Sequence, residues 1–215
     1  MTTYIPQITL PYSVFTSPAA SILLPVGLGS LVGWSTARKP PSPILSSILL
    51  LLCASQLTWT YHKAAKKTKA KYAALKQPPY SPPAWVFGPA WTVLYGLMGY
   101  AAYRAVDTGM SPLSSVIHQR MTKHGATLYS IQLGLNLVWM PLFFGLKRPV
   151  EASVDILALV GINSYLTYLW GSVDRVAGLC LAPYVAWLSY ASYLCIGAGY
   201  LNGWDIKDKE TPKQQ

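Results

Sequence analysis

The stretch Pro78-Pro79-Tyr80-Ser81-Pro82-Pro83-Ala84-Trp85-Val86-Phe87-Gly88-Pro89-Ala90-Trp91 leads into an uncharged run that stops at Arg104. No side chain from Ala84 to Tyr103 is charged, which matches the roughly 20 apolar positions that a membrane-spanning helix needs. Pro82 and Pro83 suit a helix entrance and not its interior, so this order predicts a helix that begins there. Pro89, set between Trp85 and Trp91, is expected to bend the first turns and to turn backbone carbonyls toward neighbouring helices. A helix surrounded only by lipid gains little from two tryptophans, a glycine and a proline at its start. A helix that shapes a cavity gains more.

The rest of the chain fits a membrane. Of 215 residues, 52% are hydrophobic and only 11% charged, against about a quarter charged in an ordinary soluble chain. The net charge of +10 comes from 17 Lys and Arg against 7 Asp and Glu. Lys63, Lys66, Lys67, Lys69, Lys71 and Lys76 crowd one stretch between apolar segments. That is where positive-inside topology signals and anionic-lipid contacts sit, and it argues against a nucleic-acid partner. Cys53, Cys180 and Cys195 each lie in an apolar run without a CxxC pair, so they read as small buried residues. Residues 1–19 carry no charged side chain, so targeting is expected to be internal.

Five spans are expected, all α-helical. The first covers residues 21–36, where Gly29 and Gly33 form a GxxxG pair that admits a close helix neighbour. The second is the proline-led span described above. A polar connection over 106–124 leads to a third span at 126–146, and the fourth and fifth cover 150–171 and 176–201. The tail from Asn202 is charged and expected to be disordered. Residues 44–61 are also uncharged and could just cross. With five spans, thirteen Lys and Arg fall on one side against four on the other; a crossing at 44–61 gives eleven against six. The stronger bias favours five spans, with 44–61 an extra helix that does not cross.

Helical spacing gathers candidate site residues. Trp91, Tyr95 and Met98 share one face, Asn136, Trp139 and Phe143 a second, and Trp187, Ala191 and Leu194 a third. These faces could line a flat slot for a planar ligand that Asn136 orients by a hydrogen bond. They could also be interfacial belts or packing, which is what periodicity alone favours. Trp85 reads as an interface anchor. Asp155, one turn after Glu151 and close to Lys147 and Arg148, reads as an ion-pair or helix-N-terminal residue rather than a proton relay. Asn163 is expected to hydrogen-bond between helices or to line the pocket. His62, His118 and His124 have no metal-ligand spacing, and no catalytic triad order, P-loop or dinucleotide fingerprint occurs.

Several of these patterns, in order, resemble the TspO/MBR family, and suggest a eukaryotic, fungal-type member. They are Ala74-Leu75-Lys76-Gln77-Pro78, Pro82-Pro83-x-Trp85-Val86-Phe87-Gly88-Pro89-x-Trp91 and Leu94-Tyr95-x-x-Met98-Gly99-Tyr100. Gln132-Leu133-x-Leu135-Asn136-x-x-Trp139-x-Pro141-x-Phe143-Phe144-Gly145, Val154-Asp155 and Pro183-Tyr184-x-Ala186-Trp187-x-x-x-Ala191 follow. The resemblance spans residues 20–38 and 70–204. It implies an N-terminal extension over 1–19, a five-helix membrane domain over 20–204 with an atypical insertion at about 40–69, and a charged tail over 205–215.

The resemblance also implies an internal pocket for porphyrin or haem, formed by Phe87, Trp91, Tyr95, Asn136, Trp139, Phe143, Trp187, Ala191 and Leu194. No cofactor is required and no metal is implied. Further implications are sterol as a second ligand, lipid as surroundings, homodimerisation, and a place in the mitochondrial outer membrane. The role implied is tetrapyrrole or lipid handling, with porphyrin breakdown through Trp91 and Trp187 as the enzymatic alternative. Two local departures stand out. Tyr80 sits where many members have tryptophan. On the fifth helix Leu194 and Tyr200 fit the sterol pattern, but six residues separate Tyr200 from Lys207, more than that pattern allows.

Overall fold

A computed structural model describes residues 9–36, 72 and 74–206 of the chain. The expectations for residues 40–69, for a non-crossing helix at 44–61 and for 207–215 lie outside the described residues, as do those for Cys53 and His62. Every regular element among the described residues is helical: α1 (Tyr12–Thr16), α2 (Pro18–Thr36), α3 (Phe87–Gly109), α4 (Val116–Met140), α5 (Pro149–Val173) and α6 (Arg175–Leu201). A π-helical turn, Pro141–Gly145, continues α4.

Three segments, Val116–Gly145, Pro149–Val173 and Arg175–Leu201, are long and apolar enough to cross a membrane. Pro18–Val32 is a shorter apolar helix. α3 is 23 residues long, but Arg104 and Asp107 lie in its last turns. The chain is an all-α integral membrane protein. Large apolar side chains such as Leu23, Val93, Val154, Leu157 and Leu179 stand on the outside of the bundle, each more than half exposed, as a lipid-facing surface requires.

The five long helices close a ring in the order α2, α3, α6, α5, α4, with α4 returning to α2. Glycines set the closest approaches. A Cβ on Gly99 would strike the backbone of Ser21 and Ile22, so α2 and α3 touch there. Gly178 faces the backbone of Gly171 between α5 and α6. Gly29 plays a different part from the one its GxxxG spacing suggested: its open side is filled by the Tyr95 ring, not by another backbone. The surroundings of Gly33 lie outside the described residues.

The structure moves several helix ends. α3 starts at Phe87, after a turn in which Val86 N–H donates to the Pro83 carbonyl at 3.0 Å. Pro89 is therefore its third residue, where a backbone N–H has no intrahelical partner to lose. It fits the entrance of the helix. Past Arg104 the helix continues to Gly109. The connection expected over 106–124 shrinks to residues 110–115, because Ser115 caps α4 by accepting from the His118 N–H at 3.2 Å.

Past α6 the chain packs back on the bundle, with Asn202 and Ile206 both buried, so the disorder expected from Asn202 does not hold over 202–206. Gly203 has φ +66°, a left-handed position that glycine takes without strain. It lets the chain turn back so that Trp204 lies on Gly199.

Candidate ligand cavity

A cavity of about 270 Å³ opens among all five long helices and the segment before α3. All nine candidate ligand residues line it: Phe87, Trp91 and Tyr95 from α3, Asn136, Trp139 and Phe143 from α4 and its π-turn, and Trp187, Ala191 and Leu194 from α6. Met98, grouped with Trp91 and Tyr95 by spacing, is fully buried beyond the cavity floor. Its sulfur accepts from Gln132 Nε2 at 3.1 Å. Trp85 is 65% exposed and lies outside the cavity.

The wall from α3 and α6 is a run of rings meeting edge to face. Phe87 and Trp187 have centroids 5.9 Å apart at 74°. Trp187 and Trp91 are 6.5 Å apart at 85°, and Trp91 leans on Tyr95 at 5.3 Å. On α4, Trp139 and Phe143 stack nearly parallel, 5.3 Å apart at 11°. The π-turn helps place the latter. Pro141 has no N–H to give, and the Leu146 N–H reaches back to the Pro141 carbonyl at 2.8 Å. This widened turn carries Phe143 and Phe144 into the cavity lining. Large π-faces with few polar atoms favour a flat, largely apolar ligand.

At the floor the lining becomes polar. The Tyr95 hydroxyl donates to Asn136 Oδ1, and Asn136 Nδ2 donates to the Tyr184 oxygen at 2.9 Å. Tyr184 in turn donates to Gln132 Oε1 at 3.2 Å, which also accepts from Asn163 Nδ2 at 3.4 Å. Asn163 thus bridges helices α5 and α4 and does not line the cavity. Trp187 Nε1 is buried without a protein partner.

The top is closed by the segment that precedes α3, which contributes Tyr72, Gln77 and Ala84 to the lining. It is tied to α6 from several directions. Asn202 Nδ2 donates to the Lys76 carbonyl at 2.9 Å, and Lys76 N–H donates to Asn202 Oδ1 at 3.2 Å. The Tyr190 hydroxyl donates to the Tyr80 carbonyl at 2.7 Å, and that of Tyr193 to the Pro79 carbonyl at 3.0 Å. Tyr80 itself sits at φ 62°, with its side chain 92% exposed.

Asp155 does not form the ion pair expected of it. Glu151 takes that part, accepting from Arg148 Nη1 at 3.1 Å, while Asp155 Oδ2 is buried without a protein partner. Nor is Asp155 at the helix start, since α5 begins at Pro149 and a first-turn position would end near Glu151.

At the end of the bundle away from the cavity, Asp174 caps α6 by accepting from the Val176 N–H at 2.8 Å. It also accepts from Arg104 Nε at 2.8 Å and Thr108 Oγ1 at 3.2 Å. Burial alone would raise its pKa, but the bonds from Arg104 and Val176, the Arg104 charge and Thr108 together hold it below the ordinary carboxylate value. Among the described residues no cluster of three or more His, Cys, Asp or Glu could hold a metal ion.

A helical membrane protein with an aromatic cavity inside the bundle is the class that this fold and site define. The TspO/MBR family model matches residues 47–201, and the chain belongs to that family. It is similar to the translocator protein homolog of Schizosaccharomyces pombe, 40% identical over 136 residues that cover 63% of this chain and 80% of the relative. The tryptophan-rich protein TspO of Archaeoglobus fulgidus is 40% identical over 138 residues, 64% of this chain and 84% of that one. The human translocator protein is 37% identical over 123 residues, 57% and 69% respectively. The family match starts within the 40–69 segment and leaves out α2.

Proposed function

We propose that the protein binds a tetrapyrrole, porphyrin or haem, in the cavity bounded by Trp91, Trp139 and Trp187, and serves in tetrapyrrole or lipid handling of the translocator type. The observation that carries this reading is the convergence of ring faces from three helices on one largely apolar space inside the bundle, with a polar pair, Tyr95 and Asn136, at its floor. In this reading α2 and α3 also cross the bilayer, which makes five spans. At about 270 Å³ the cavity is slightly below the usual range for ligand sites, about 300–1,000 Å³. A macrocycle therefore needs the lining to move apart as it binds. The ligand is bound as cargo, so the reading requires no cofactor.

Sterol takes second place. Leu194 faces the cavity, whereas Tyr200 is 75% exposed on the outside, so the two residues of the sterol pattern do not share a surface. Homodimerisation belongs to the same reading, but not through Gly29, whose open side holds a ring. The mitochondrial outer membrane is proposed on family resemblance alone.

The test is an absorbance titration of protoporphyrin with the purified protein, alongside Trp91→Phe and Asn136→Ala. A saturable shift of the porphyrin band that weakens in folded variants supports the reading; equal shifts in all three proteins remove those residues from the site. The contact of Trp91 with Trp187 favours one alternative, oxidant- or light-dependent porphyrin breakdown. It requires product that vanishes in Trp91→Phe and Trp187→Phe.

A further inference from the structure

The hydrogen bonds beneath the cavity run in one direction. Tyr95 donates to Asn136, Asn136 to Tyr184, and Tyr184 to Gln132. Gln132 ends the series, with its carbonyl oxygen accepting from Tyr184 and Asn163 and its amide donating to the Met98 sulfur. Tyr184, Gln132 and Asn163 are each fully buried, so water cannot supply an alternative partner. Each hydroxyl has one proton to give and each amide has one donor end and one acceptor end. The orientation of the last member therefore fixes that of the first. Only Tyr95 and Asn136 line the cavity.

We infer that the cavity floor is a hydrogen-bond acceptor, selecting flat ligands that bring an N–H or O–H to the Tyr95 oxygen. The proton of Tyr95 is committed to Asn136, which leaves lone pairs and no proton for whatever enters. Gln132 is the positioning residue for this polarity, although it touches no ligand. Without its carbonyl, the Tyr184 proton turns to Asn136, the Asn136 amide rotates to donate to Tyr95, and the Tyr95 proton is released into the cavity. The floor would then be a donor. Burial makes such a series stiff, because a reversed or broken link leaves an unpaired polar group in a low-dielectric interior.

This inference rests on the cavity being the ligand site, and one experiment separates the two claims. Calorimetric titrations of 2-naphthol and of 2-methoxynaphthalene into the detergent-solubilised protein, with micelle blanks subtracted, compare a donor with its methylated partner. The expected result is that 2-naphthol binds roughly two- to tenfold more tightly, the scale of one net hydrogen bond. Gln132→Met, which keeps the volume, should abolish or reverse the preference, whereas Tyr95→Phe, which uncovers the Asn136 Oδ1 acceptor at the floor, should keep it. Thermal unfolding of each variant confirms that it is folded. Binding of both compounds with no preference, a preference that survives in Gln132→Met, or one that reverses in Tyr95→Phe overturns the inference and leaves the cavity standing. If neither compound gives saturable heat with the unmodified protein, the inference falls, and the protoporphyrin titration decides the cavity on its own.

Discussion

The Tyr95 ring occupies the space that a Cβ on Gly29 would need. Because the Tyr95 hydroxyl is bonded to Asn136, a missing side chain on α2 decides how α3 is joined to α4. Gly29→Ala should push the ring aside and break that bond. The cost expected is about 1–3 kcal/mol, the range for overpacking a filled interior. Gly96 lies one residue beyond Tyr95, and a Cβ there would meet nothing within 4 Å. Gly96→Ala should be neutral or stabilise the helix by up to about 1 kcal/mol. Thermal unfolding of the two variants in the same detergent checks the contrast.

Asp174 should make stability depend on acid. Its folded pKa is depressed, so the unfolded chain takes up a proton at higher pH than the folded one. The stabilisation is complete above the ordinary carboxylate pKa of about 3.9 and drains away as pH falls through the lower folded value. Asp174→Asn should therefore lower stability at neutral pH, by roughly 1–3 kcal/mol for the lost cap and charge-assisted bonds. It should also flatten the acid limb of an unfolding-versus-pH curve.

The tie between Asn202 and Lys76 should control access to the cavity. Asn202 is 7% exposed and exchanges two bonds with the Lys76 backbone. Asn202→Ala strands those groups at a cost of about 1–3 kcal/mol. Hydrogen exchange at the Lys76 amide should speed up by at least roughly tenfold, while amides within α4 and α5 keep their protection. Uniform acceleration would mean that the tie supports the whole bundle and not the cover.

Part of this organisation was legible in the sequence. The helix periodicity of Trp91 and Tyr95, of Asn136, Trp139 and Phe143, and of Trp187, Ala191 and Leu194 placed each set on one face, and these faces turn inward together. Periodicity could not give depth along a face, which is why Met98 falls beneath the cavity and not beside it. Neither could it show what a glycine makes room for: GxxxG is compatible with a backbone or a ring, and Gly29 holds the ring. The part of Gln132 was hidden because it depends on which atoms of Tyr184 and Asn163 meet it across helices, and no local pattern encodes that. The Asp174 cap could have been found, since an aspartate just before a helix is a known N-cap signal; its pairing with Arg104, seventy positions away, could not.

The central claim is that the aromatic cavity takes a tetrapyrrole. The most direct measurement is a titration of the detergent-solubilised protein with protoporphyrin, following tryptophan fluorescence, with Trp187→Phe in parallel. Saturable quenching that weakens in the folded variant is the expected result, because Trp187 stands in the cavity wall beside Trp91. Quenching that rises linearly without saturating, and equally in both proteins, would mean partition into the micelle and would contradict the account.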